Sequence, residues 1–244
     1  MNQRILKIFL FYIHKNSVKL KAGDKMFEDL KKKVIEIAQR AEKEKLCIPL
    51  SGNFSIMDEN REFVAITLSS VERKDLDCED ICILNLSGEV VESISGKKPS
   101  SEFMLHLLSY KIRSDIFSVV HTHSHFSVVI SVIKENVPAL VYEATMLNLK
   151  KGYIPVANYE RPGTLELAKE TSKYLDIANS VIMERHGVLA VGENADKAFL
   201  NALYTEELSK IYFFCRLVSE NKVEGIPVKE LFSWKYPWMF FYLL

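Results

Sequence analysis

Two histidines one residue apart, His121-Thr122-His123, close the apolar run Phe117-Ser118-Val119-Val120. Successive side chains of a strand alternate faces, so imidazoles at i and i+2 project to one side and supply half of a divalent metal site. A tetrahedral zinc needs further ligands, with one position left for solvent or substrate if it is catalytic. Glu102, on the predicted first turn of a helix, and His186, in Glu184-Arg185-His186-Gly187 after another apolar strand, are the candidates. Three imidazoles and a carboxylate around one cation equip it to polarise a carbonyl or hydroxyl oxygen, or to activate water. A carboxylate displaced from the metal by substrate becomes a base beside the acidified carbon.

A second group of residues suits an anion. Pro49-Leu50-Ser51-Gly52-Asn53-Phe54-Ser55 reads as a turn entering a strand. Gly52 and Asn53 are ordinary turn residues. They are also the parts of an anion cradle, since glycine lets backbone N–H groups approach a phosphate and the Asn amide adds a donor. Ser100 is a fair N-cap for a helix from Ser101 to about Arg113. A helix N-terminus carrying two serines favours an anion, so Ser100 and Ser101 are candidate phosphate donors as well as caps. His106, one turn after Glu102, either orients that carboxylate or simply packs within the helix.

Pro99-Ser100-Ser101-Glu102, His121-x-His123 and Arg185-His186-Gly187, in this order, resemble the metal-site signature of the class II aldolase/adducin family. Ser51-Gly52-Asn53-x-Ser55 resembles the family's phosphate loop, and the likeness runs over roughly residues 25–217. It implies a three-layer α/β/α fold whose central, mainly antiparallel sheet is flanked by helices. It implies one Zn2+ per subunit on Glu102, His121, His123 and His186, and a phosphate site from Gly52, Asn53, Ser69, Ser70, Ser100 and Ser101. The implied activity is that of a metal-dependent aldehyde-lyase. It would reversibly cleave a ketose 1-phosphate, L-fuculose 1-phosphate or similar, to dihydroxyacetone phosphate and a hydroxyaldehyde such as L-lactaldehyde.

By the same resemblance Glu102 takes a proton from the hydroxymethyl carbon in the aldol direction, and Tyr142 of a neighbouring subunit in a homotetramer serves the aldehyde oxygen. The intervals Glu102 to His121 and His123 to Tyr142 are both 19 residues, as in that pattern. The chain departs from the family at Thr67-Leu68-Ser69-Ser70, where T-P-S/T-G is typical, and at Pro162, where an aromatic is expected. A serine in place of a glycine that needs φ > 0 strains or opens the turn. Other members of this fold remain alternatives: a methylthioribulose-1-phosphate dehydratase, with Glu143 as its acid; a pentulose-5-phosphate 4-epimerase, against which Glu102 speaks because that enzyme has aspartate there; and an adducin-like interaction scaffold, against which the retained ligands speak.

The elements that must hold these residues are legible from periodicity. A helix is expected from the N-cap Asp24 to about Lys45, with Phe27, Leu30, Val34, Ile37, Ala38 and Ala41 inward. Its charge run, Lys31-Lys32-Lys33 and Glu42 to Lys45, reads as a solvated face. Strands are expected at 63–66, 117–120, 154–156, 180–183 and 188–191, and a hairpin over 81–91 around Ser87-Gly88. Helices follow at 124–136, at 164–175 and from the N-cap Asn194 to about Val218. One α/β domain over 24–244 preceded by an extension, 1–23, is the economical description.

Composition limits the partners. The 244 residues carry 32 basic and 32 acidic side chains, so bulk charge makes no case for nucleic acid or an acidic membrane. Cys47, Cys78, Cys82 and Cys215 form no C-x-x-C pair and read as reduced thiols of a cytoplasmic protein. The run Ile8–Ile13 is shorter than a usual signal-peptide core and lacks a small-residue cleavage site. The aromatic tail from Phe232 to Leu244 (FSWKYPWMFFYLL) reads as a docked or interface segment.

Overall fold

The apolar runs assemble into one sheet. The computed structural model describes residues 25–69, 71–219 and 221–234. The expected N-cap Asp24, the extension 1–23, Ser70 and positions 235–244 of the aromatic tail lie outside the described residues.

Eight strands run in the order β4-β3-β2-β1-β5-β10-β9-β8. They are Asn53–Met57 (β1), Phe63–Thr67 (β2), Ile81–Asn85 (β3), Val90–Glu92 (β4), Ser118–Thr122 (β5), Val156–Ala157 (β8), Ser180–Met183 (β9) and Gly187–Gly192 (β10). Val137–Pro138 (β6) and Tyr153–Ile154 (β7) pair separately. All neighbours in the large sheet are antiparallel except β8 and β9. β1, β5 and β10 lie at its centre and every residue in them is buried. Helices cover both faces, which is why these strands read as near-continuous apolar runs and not as alternating ones.

Lys25–Lys43 (α1), His125–Ile133 (α3) and Ala195–Val218 (α5) pack with Phe54, Ile56, Val120, Val188 and Ala190 on one face. Phe103–Ile112 (α2) and Leu165–Ser172 (α4) pack with Met57, Val119, Leu189 and Val191 on the other. A short helix, Val228–Ser233 (α6), follows. This is the helix-flanked, mainly antiparallel α/β architecture that the sequence implied. The register sets Asn53 beside His121 and His121 beside Leu189, with Ser55 opposite Val119. Asn53, Ser55, His121 and His123 therefore share the α2 face.

Asn194 caps its helix as the sequence reading expected, and Thr164, expected as the first residue of its helix, caps it. Thr164 accepts from the Leu167 amide at 3.2 Å and Asn194 from the Lys197 amide at 2.9 Å. α3 is capped from a distance: the Glu206 carboxylate of α5 accepts from the amides of Phe126 and Ser127 at 2.8 and 2.9 Å. A carboxylate at a helix N-terminus satisfies orphan donors and suits the helix dipole.

Four expectations need correction. Lys31 is buried, not solvated: it stands four residues after Phe27 and three before Val34, on the inward stripe, and pairs with Glu92 and, at 3.8 Å, with Glu28. α1 ends at Lys43, short of Lys45, which adopts φ 58°. α2 begins at Phe103, because Ser101 and Glu102 form a turn that precedes it, closed by the Phe103 amide donating to Ser100 O at 3.1 Å; the Ser100 hydroxyl accepts from the Glu102 amide at 3.3 Å. α3 stops at Ile133, where Lys134 turns to φ 57° and reaches Glu184 at 2.7 Å.

Candidate metal centre and phosphate cleft

Each metal-site side chain sits at the end of an element. Glu102 precedes α2 on a segment pinned to the end of β2: the Ser100 amide donates to Thr67 O at 3.1 Å, and Pro99 bridges Leu68. His121 ends β5 and His123 follows it. His186 lies in the turn from β9 to β10, where Arg185 takes φ 56° and donates its amide to Ser131 Oγ at 3.0 Å. The next residue must lack a side chain, since a Cβ on Gly187 would lie 2.2 Å from Thr122 O and 3.1 Å from His123 Cδ2.

The four side chains converge. His121 Nε2 lies 3.0 Å from His123 Nε2 and 3.3 Å from Glu102 Oε2, and His186 Nε2 lies 3.2 Å from Glu102 Oε1. Ligands at zinc bond lengths of 2.0–2.1 Å in a tetrahedron stand about 3.4 Å apart, close to these separations. Burial holds His121 well below the ordinary histidine range and brings His123 down to about 4. Burial pushes the Glu102 carboxyl up, but the imidazoles of His121, His186 and His123 outweigh it and leave Glu102 at about 2. At neutral pH His121 and His123 are therefore neutral imidazoles beside the Glu102 carboxylate.

Protons alone do not satisfy this arrangement. His121 Nδ1 donates to Val188 O at 2.8 Å, so its Nε2 carries a lone pair. That lone pair faces Glu102 Oε2, itself a buried acceptor without a hydrogen-bond donor. Acceptors aimed at one another across van der Waals distance fit a shared cation, and His121, His123 and His186 form the group able to hold one.

A cleft of about 160 Å³ opens beside them. Glu102, His121 and His123 form one part of its wall, and Ser51, Gly52, Asn53, Ser69, Ser100 and Ser101 form most of the rest. Gly52, at φ 75°, packs so closely that a Cβ would lie 2.6 Å from His121 O. Ser69 has a supporting place: its hydroxyl donates to Pro99 O at 3.2 Å and accepts from the Ser101 amide at 3.1 Å. A larger depression of about 810 Å³ lies between α1 and the start of α5, with none of the predicted site residues in its wall.

The structure decides between the two readings of His106. It makes no hydrogen bond to Glu102; its Nε2 pairs with Asn53 Oδ1 at 2.5 Å and its Nδ1 with Ser55 Oγ at 2.7 Å. Ser55 Oγ also pairs with Tyr110 Oη at 2.7 Å. Asn53 Oδ1 only accepts, so His106 Nε2 carries the proton and the Asn53 amide nitrogen is left for the cleft. Tyr142 does not line this chain's cleft. It opens a 3-10 turn, Tyr142–Leu147, is 40% exposed, donates to Glu230 Oε1 at 3.5 Å, and stacks 4.7 Å from Trp234. The sequence reading missed Arg73, which lines the cleft from a turn without helical or strand periodicity.

Residues 32–213 match the family model described as the class II aldolase and adducin N-terminal domain. The 5-deoxy-D-ribulose 1-phosphate aldolase of Bacillus thuringiensis serovar kurstaki is 34% identical over 180 residues, 74% of this chain and 81% of that protein. The L-fuculose phosphate aldolase of Methanocaldococcus jannaschii is 30% identical over 190 residues, 78% of this chain and 99% of that one. A solved structure of an L-fuculose 1-phosphate aldolase superposes with a TM-score of 0.78 at 29% identity, covering 84% of this chain and 93% of the other.

Proposed function

The chain belongs to the class II aldolase and adducin family, and on that premise we propose that it is a zinc-dependent aldolase cleaving a 5- or 6-deoxyketose 1-phosphate between C3 and C4. The products are dihydroxyacetone phosphate and a short aldehyde: acetaldehyde from 5-deoxyribulose 1-phosphate, L-lactaldehyde from L-fuculose 1-phosphate. The two substrates share the phosphorylated half and differ by one CHOH in the aldehyde half. The observation that carries the reading is the Glu102 carboxylate facing the His121 lone pair at the mouth of a cleft rich in hydroxyl and amide donors.

Glu102, His121, His123 and His186 would hold the cation. When bound, it draws electron density from the C2 carbonyl and stabilises the charge that develops there as C3–C4 breaks. Asn53, Gly52, Ser100 and Ser101 would bind the phosphate and fix C3 against Glu102. In cleavage the C4 hydroxyl would pass its proton to the Tyr142 oxygen of a neighbouring subunit, the C3–C4 electrons move to the C3–C2 unit, and C3 would gain a proton through Glu102, which takes one up from solvent as the Tyr142 proton is released to it, so that no net proton is consumed. In the aldol direction Glu102 takes that proton. Tyr142, exposed on its own chain, would serve the C4 oxygen of a neighbouring subunit in a homotetramer.

The test is release of dihydroxyacetone phosphate from both ketose 1-phosphates by the zinc-loaded enzyme, read with a coupled reductase. We expect turnover of at least one, loss on chelation, and a fall of about 10²–10⁴ in kcat for Glu102→Gln. Full activity in Glu102→Gln removes Glu102 as the base, and activity unaffected by chelation removes the metal.

A further inference from the structure

Arg73 is an anomaly in the cleft. It sits in the single-turn segment Arg73–Asp75, just beyond the Ser69-Ser70 departure from the family pattern, and is only 4% exposed. Its guanidinium reaches back over the Ser51-Gly52 loop. Nη2 donates to Ser51 O at 2.6 Å and to Gly52 O, and Nη1 donates to Val71 O at 2.5 Å. No carboxylate forms an ion pair with it among the described residues. Its Nε is buried without a hydrogen-bond partner.

An arginine keeps its charge in a protein, and a buried charge that no carboxylate pairs with directly is costly unless an anion joins it. Three of its five N–H groups are used by carbonyls, which hold the fork in one orientation and leave two. Away from the Glu102, His121 and His123 end, the polar groups in the wall of the cleft are those of Ser51, Asn53, Ser69, Ser100 and Ser101, all uncharged, so Arg73 is the cation at that end. We propose that Arg73 is the fixed counter-charge for the phosphate group of the substrate. The proposal rests on the sugar-phosphate reading of the site and deepens it. Arg73 also clamps the loop that carries Gly52 and Asn53, so anion binding and loop geometry are coupled through one side chain.

The test uses inorganic phosphate as the probe on the zinc-loaded full chain, measured by calorimetry for the wild type, Arg73→Gln and Arg73→Lys. Arg73→Gln should weaken phosphate binding by roughly ten- to a hundredfold and raise KM for the ketose 1-phosphate more than it lowers kcat. Arg73→Lys, which keeps the charge without the fork, should recover part of both. Phosphate binding equal to wild type in a folded Arg73→Gln overturns the proposal. If that variant does not fold, the Arg73 Nε–H resonance of the wild type is followed as phosphate is added. A shift that saturates with binding supports the assignment, and an unmoved resonance at saturation overturns it. Arg73-dependent phosphate binding without turnover of any ketose phosphate would count against the aldolase reading and leave the anion site standing.

Discussion

At the scale of single residues, the site is built from pairs whose protons are already assigned by their other contacts. Val188 O takes the His121 Nδ1 proton and so aims a lone pair at Glu102. Asn53 Oδ1, accepting from His106 Nε2, likewise leaves the His106 Nδ1 lone pair to Ser55 Oγ. His106 is fully buried, and burial lowers it to about 3. The folded chain thus holds it neutral, while the unfolded chain takes up a proton near pH 6.5. Its contribution to stability is fully present above pH 6.5 and is lost as the pH falls towards 3. In the metal-free protein, His106→Gln should flatten the acid limb of unfolding free energy against pH by up to one proton's worth, about 1.4 kcal/mol per pH unit. An unchanged slope would mean that His106 is not held neutral. His121-x-His123 was legible because a strand fixes which way i and i+2 point. Arg73 was not: its place depends on the path of a loop, and no periodicity encodes that.

At the scale of elements, the candidate metal site forms where three strand or helix ends meet, and the meeting depends on close backbone approach. Gly187 lets β10 pass against Thr122 and His123. A methyl group there must push β5 and β10 apart at the metal end, since overpacking against backbone has no side chain to displace. Gly187→Ala should therefore weaken zinc binding at least about tenfold, measured by competition with a chromophoric chelator, and cost roughly 1–3 kcal/mol of stability. Zinc affinity equal to wild type would show that the β5–β10 contact does not set the site. The long helices and central strands were legible from apolar spacing. The two-residue strands β6, β7 and β8 were poorly so, because two residues carry no period. Lys31 misled as one member of a charged run, though its helical position already lay on the inward stripe.

At the scale of the whole molecule, one sheet with helices on both faces brings together residues drawn from positions 51 to 186. No described helix is long and apolar enough to cross a membrane. Tyr142, Trp234 and exposed Phe232 lie on or beside α6 and the 142–147 turn, away from the cleft wall. The claim on which the account turns is that Glu102, His121, His123 and His186 hold one cation. Elemental analysis of the purified, zinc-reconstituted wild type and of His121→Ala tests it directly. One zinc per chain is expected in the wild type and near-complete loss in the variant, with the variant still folded by circular dichroism. A wild type that retains no zinc, or a His121→Ala that retains as much, would contradict it.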